Sequence, residues 1–134
     1  MCSSRYTKQN RLSEVIALIQ ILAMDKHSYR TENGMKKELQ IDKPLSAKSW
    51  TELCSEHPEF FRVSDTKEHN LSLIARHVSP DKMVSAEFIQ KLIEVAIDLH
   101  DKAHERADKW YRLIPILAAL IGATSVIIVA MIKT

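Results

Sequence analysis

His100 and His104 stand four residues apart, in a stretch from Ala86 to Arg112 with no Gly or Pro. That spacing puts both imidazoles on one face of a helix. Two histidines so placed can share a zinc-like cation, and Asp101 and Asp108 are close in sequence. No Glu follows His100 as in a helical metalloprotease motif. A solvated helix face is the simpler reading, and no metal or other cofactor is expected. Cys54 and His57 form a second pair, three residues apart before Pro58. A catalytic thiol needs a base within reach and a third group that orients the base. Nothing marks that third group, so Cys54 reads as a small core residue and His57 as a helix-end residue. Gly34 and Gly122 are the only glycines, so no phosphate-cradling loop exists. These residues point away from an enzyme.

A nucleic-acid surface is also disfavoured. The 134 residues carry a net charge of +2, and neither half builds a strong field. Lys36, Lys37, Lys43 and Lys48 make at most a weak basic patch. The outward residues expected on the third helix, Lys48, Ser49, Glu52, Ser55 and Glu56, include no Arg to hold guanine or phosphate. The two cysteines, Cys2 and Cys54, give no disulfide framework.

Positioning elements follow from periodicity. Arg11 to Met24 is expected to be a helix: Val15, Ile16, Ile19 and Leu22 lie on a broad apolar arc. Tyr29 marks a short strand, Glu32 to Gln40 a second helix, and Ser46 caps a third that runs to His57. Phe60 to Ser64 and Leu71 to Val78 alternate as two strands of a hairpin. The order helix, short strand, helix, helix, hairpin is that of a winged helix. Its expected core is Val15, Ile16, Ile19, Leu22, Leu39, Trp50, Leu53, Phe61, Val63 and Leu73.

Beyond a linker at 79–84, Ser85 caps a long helix. Ile89, Ile93, Ala96, His100, Ala103, Ala107, Trp110 and Ile114 step alternately by four and three, a heptad seam. Phe88, Leu92 and Val95 make a second stripe, a candidate contact face together with Trp50. Leu113 to Ile132 follows, twenty residues without a charge. At 1.5 Å per residue such a helix is about 30 Å long, the thickness of a bilayer core. The expectation is a transmembrane tail anchor, with Trp110, Tyr111 and Arg112 at the membrane interface. Lys102, Arg106 and Lys109 before the span place the N-terminus in the cytoplasm. Within the span, Ala118 and Gly122 are small residues four apart, which permits close helix pairing. With Ile89, Ile93 and Ala96 they form the candidate self-association set.

Arg11 to Gln20, Trp50 followed by Glu56-His57-Pro58-Glu59-Phe60-Phe61-Arg62, and Ala96-Ile97-Asp98-Leu99-His100 resemble segments of a group of small, uncharacterised bacterial membrane proteins. The resemblance implies a bacterial source and the same layout, without a settled activity.

The reading is therefore a mainly α chain with a small β-hairpin. A flexible N-terminus (1–10) precedes a winged-helix-like cytosolic domain (11–78), the linker (79–84), an amphipathic stalk (85–112), a transmembrane helix (113–132) and a short tail (133–134). It would sit in the bacterial inner membrane, with the lipid bilayer and an unidentified protein as partners and a tendency to self-associate. The expected role is a non-catalytic protein-interaction module, as an adaptor or a subunit of a membrane assembly. The alternatives are a membrane-tethered DNA-binding regulator and a small oligomerising membrane effector.

Overall fold

A computed structural model describes residues 5–66, 68 and 70–132; for 120–132 only the helical backbone is described. The chain is mainly helical, with a two-stranded antiparallel sheet and a long C-terminal helix. Helix α1 (Arg11–Met24) is central. Val15, Leu18, Ile19, Leu22 and Ala23 recur every three or four residues and are buried. Asn10, just before it, adopts a left-handed backbone (φ 63°) that Asn tolerates better than most residues.

Helix α2 (Glu32–Leu39) starts at Thr31, whose hydroxyl accepts from the Gly34 N–H at 3.1 Å. Helix α3 (Trp50–Glu56) starts later than its sequence suggests, because Ser49 and not Ser46 is the cap. The Ser46 hydroxyl binds the Glu14 carboxylate instead, and its carbonyl accepts from Arg11 at 2.6 Å. Glu32 supplies a second cap for α3. Its carboxylate accepts from the Trp50 N–H at 2.9 Å, the Thr51 N–H at 2.7 Å and the Thr51 hydroxyl at 2.6 Å. A negative charge at a helix N-terminus answers both the unpaired N–H groups and the helix dipole.

Strands β1 (Phe61–Val63) and β2 (Leu71–Leu73) pair with Phe61 opposite Leu73 and Val63 opposite Leu71. The short strand expected near Tyr29 is a single bridge, with Arg30 and Leu71 exchanging backbone bonds at 2.8 and 2.6 Å. Residues of β2 thus meet β1 on one side and the Arg30 bridge on the other, and all three are buried. The second strand is shorter than expected: Ile74–Val78 is a helical turn, α4. That turn carries Arg76 under the end of α1. There its guanidinium donates to the carbonyls of Leu22 (2.9 Å), Asp25 (2.7 Å) and His27 (2.8 Å), and also to Lys82 (2.9 Å).

Helix α5 (Ala86–Ile132) runs for 47 residues without a break at Pro115, about 70 Å. Ile89, Leu92, Ile93, Ala96 and Leu99 pack on the core. The N-terminal strap is also docked over residues 5–10, against the expected flexible tail: Tyr6 is buried and Arg5 donates to the Glu56 carbonyl at 2.7 Å. Met1 to Ser4 and the tail at 133–134 lie outside the described residues.

The expectation of a transmembrane, tail-anchored, inner-membrane protein is corrected. Among the described residues no helix is long and apolar enough to cross a membrane. Up to Arg112, α5 carries charges every few residues. The expected span from 120 onward, including Gly122, falls among residues whose side chains lie outside the described set. Trp110, Tyr111 and Arg112 are exposed helix residues.

Replacing Arg76 by Met removes all four guanidinium bonds and leaves the carbonyls at the end of α1 unpaired. Equilibrium urea unfolding should show a loss of roughly 2–4 kcal/mol. A loss below about 1 kcal/mol would mean that the α1 end does not depend on this group.

Candidate functional site

The densest polar chemistry lies where the strap, the start of α1 and the end of α3 meet. Arg11 faces inward because it continues the Val15, Leu18, Leu22 stripe one turn upstream, and it is 1% exposed. Its guanidinium binds the Glu56 carboxylate and the Ser46 carbonyl, and lies 3.5 Å from His57 Nε2. His57 follows α3 and is fully buried. Its Nδ1 is 3.0 Å from Glu59 Oε1, and the same carboxylate accepts the Tyr6 hydroxyl. The Tyr6 ring packs edge-on to His57 at 4.9 Å, while Lys8 reaches Glu56 at 2.9 Å.

This network balances its charges. Burial alone would raise Glu59, but the hydrogen bonds from His57 and Tyr6 outweigh it and hold the carboxyl at about 2. For Glu56 burial is likewise outweighed, here by Lys8 and Arg11. The Tyr6 phenol is pushed up by burial and by the adjacent Glu59. These shifts favour ionised Glu59 and Glu56 and a protonated Tyr6. Cys54 is fully buried, and burial followed by the Glu32 charge pushes its thiol up, away from the nucleophilic thiolate. The cluster therefore fastens the strap and the α3–β1 turn to α1. Sequence reading treated His57 and Cys54 as bland residues and missed Tyr6, Arg11 and Glu59 as their surroundings. The one available signal was Arg11 on the apolar stripe of its own helix.

The surface residues separate by fate. Trp50 is 2% exposed, so the expected contact face around it belongs to the core. Leu92, Ile89, Ile93 and Ala96 are spent on the chain's own core. Phe88 and Val95 remain about half exposed. Phe88 lines a cleft of about 540 Å³ with Val78, Met83 and Val84. On the other side of the 79–85 segment, Met83 and Val84 also line a cleft of about 750 Å³ with Met24, Ile89 and Ile93. Ala118 is exposed. Farther along α5, Trp110 and Tyr111 are 68% and 73% exposed, and Leu113, Ile114, Ile116 and Leu117 are 47–57% exposed. His100 and His104 do meet, with Nε2 atoms 3.1 Å apart. Among the described residues no group of three or more His, Cys, Asp or Glu converges on a metal position.

Comparison with protein-family models, curated proteins and solved structures gives no match.

Two outcomes follow from this geometry. Glu59 is lowered from its usual 4.5 to about 2 in the fold. Its contribution to stability is thus complete above pH 4.5 and is lost as pH falls toward 2. Thermal melts between pH 6 and pH 2.5 should show Glu59→Gln flattening the acid limb; an unchanged limb would mean that the cluster is not where acid acts. The native chain should also leave Cys54 unmodified by iodoacetamide until it is unfolded, as read by peptide mass mapping.

Proposed function

We propose that this chain is a non-catalytic protein-interaction module that assembles through the distal part of α5. The observation that carries the reading is the exposed apolar stripe Trp110, Leu113, Ile114 and Leu117. These residues are spaced three, four and seven apart from Trp110, so they share one helix face. Contiguous exposed apolar surface of this kind marks contact sites. The stripe continues the seam that already packs α5 on its own domain: Ala96 and Ala103 are buried, Ala107 is half-buried, and Trp110 and Ile114 are exposed.

The occupant is a second copy of the chain. Each copy brings the same stripe, and a two-fold pairing sets the stripe against itself. The small side chain of half-buried Ala107 admits close approach at its base. Glu105, Arg106, Asp108 and Lys109, in the turns just before it, carry both signs of charge.

The N-terminal lobe is read as a winged-helix-like scaffold that carries this arm. Its element order supports that reading, as does the Arg30–Leu71 bridge, which sets a third chain segment beside the hairpin. DNA binding is the weaker use of such a scaffold. On α3 and just before it, Lys48 is accompanied by the acidic Glu52 and Glu56, and the hairpin loop brings Asp65 and Glu68.

The test is the mass of the full-length chain by sedimentation velocity at tens of micromolar. A dimer is expected. Trp110→Lys combined with Ile114→Lys should return it to a monomer with an unchanged thermal melt, since both residues lie outside the core. A wild-type monomer, or a dimer indifferent to both substitutions, would overturn the reading.

A further inference from the structure

We infer that His100 and His104 form a bidentate site for a borderline divalent cation of the nickel or zinc type. One α-helical turn brings their Nε2 atoms to 3.1 Å, with ring centroids 4.4 Å apart. A cation about 2.0–2.1 Å from each nitrogen would see the pair at an angle of about 100°. That lies between octahedral and tetrahedral preference, so the spacing of the two nitrogens suits a chelated cation. A second contact prepares the site: His100 Nδ1 lies 3.3 Å from the Asp101 carboxylate. With its proton on Nδ1, facing that carboxylate, His100 directs the Nε2 lone pair toward His104. A carboxylate behind a ligating imidazole is the usual means of fixing tautomer and ring orientation.

His100 is largely covered, with 23% of its side chain exposed, while His104 is open to solvent. A cation can therefore reach the pair from the His104 side, with water completing its coordination. Two imidazoles, with no third protein ligand among the described residues, favour metals that bind nitrogen strongly, nickel over manganese and not magnesium or calcium. The chelate would clamp the turn of α5 that contains buried Ala103, ahead of the exposed distal stripe. This inference does not depend on self-association, since both ligands come from one copy.

The experiment is calorimetric titration of the full-length chain with Ni²⁺ alone, repeated with Zn²⁺ and with Mg²⁺. One Ni²⁺ per chain is expected, with weaker Zn²⁺ and no Mg²⁺ binding. Loss of a ligand should weaken binding at least as much as loss of a partner behind one, so His104→Gln and His100→Gln should each cost roughly tenfold or more. His27→Gln combined with His77→Gln should leave it unchanged. Sedimentation with and without Ni²⁺ separates this outcome from pairing of copies. Absence of Ni²⁺ binding, or binding that persists in His104→Gln, would overturn the site.

Discussion

Both ends of α1 are held by a buried guanidinium. At its start Arg11, 1% exposed, reaches Glu56 and the Ser46 carbonyl; at its end Arg76, 5% exposed, donates to Leu22, Asp25 and His27. Removing a charge from water costs several kcal/mol, and only dense hydrogen bonding offsets it. Arg76 meets that condition with carbonyls that α1 would otherwise leave unpaired. Arg11 meets it in part, through the Glu56 carboxylate and the Ser46 carbonyl, while its buried Nε has no partner. Because their partners come from far along the chain, these two groups decide which segments lie against α1. Arg11 draws in the turn before α3 and the end of α3. Arg76 draws α4 and the segment after it beneath the other end. The apolar core supplies the larger driving force, but it is non-directional; the guanidinium bonds give it a direction.

That arrangement bears on chemistry. The residue types most able to transfer protons or attack a substrate, His57, Glu59, Tyr6 and Cys54, all lie on or near the core side of these fastenings. Glu59 is ionised by its donors, Tyr6 is held protonated, and Cys54 is away from its thiolate. A catalytic group needs a proton equilibrium near the working pH and access to substrate. Tyr6 and Cys54 are buried and Glu59 is exposed, and each is held away from such an equilibrium.

Much of the fold is legible in periodicity. The apolar arc of α1, the inward Trp50 and Leu53 of α3, and Phe61 and Leu73 across the hairpin all follow from spacing. What escapes is the placement of charge. Arg is rarely buried unless paired, and the partners of Arg76 at the end of α1 are 49–54 residues away in sequence, so no local pattern marks it. Alternation then misleads for a clear reason: Leu71, Leu73 and Ala75 continue a strand pattern, yet Arg76 can reach α1 only if the chain turns helical at Ile74. Ser46 misleads in the same way. It is a good cap by residue type, but Glu14 engages its hydroxyl and the helix waits for Ser49. Phe60 lies beside the hairpin, outside the strand proper, and is buried by the turn that its own N–H closes onto His57.

The seam of α5 carries a further lesson about what a repeat can establish. Steps of four and three fix which side chains share a face; they do not name what lies against that face. Along this helix the answer changes partway. From Ile89 to Ala103 the face is covered by the chain's own domain, with α1 as the main neighbour. From Trp110 onward the same face is exposed. A helix that only needed to close the core could have ended near Ala103 with polar residues beyond. Instead the apolar spacing continues in phase past the last domain contact, through Trp110, Ile114 and Leu117, which is why self-association is the use proposed for it.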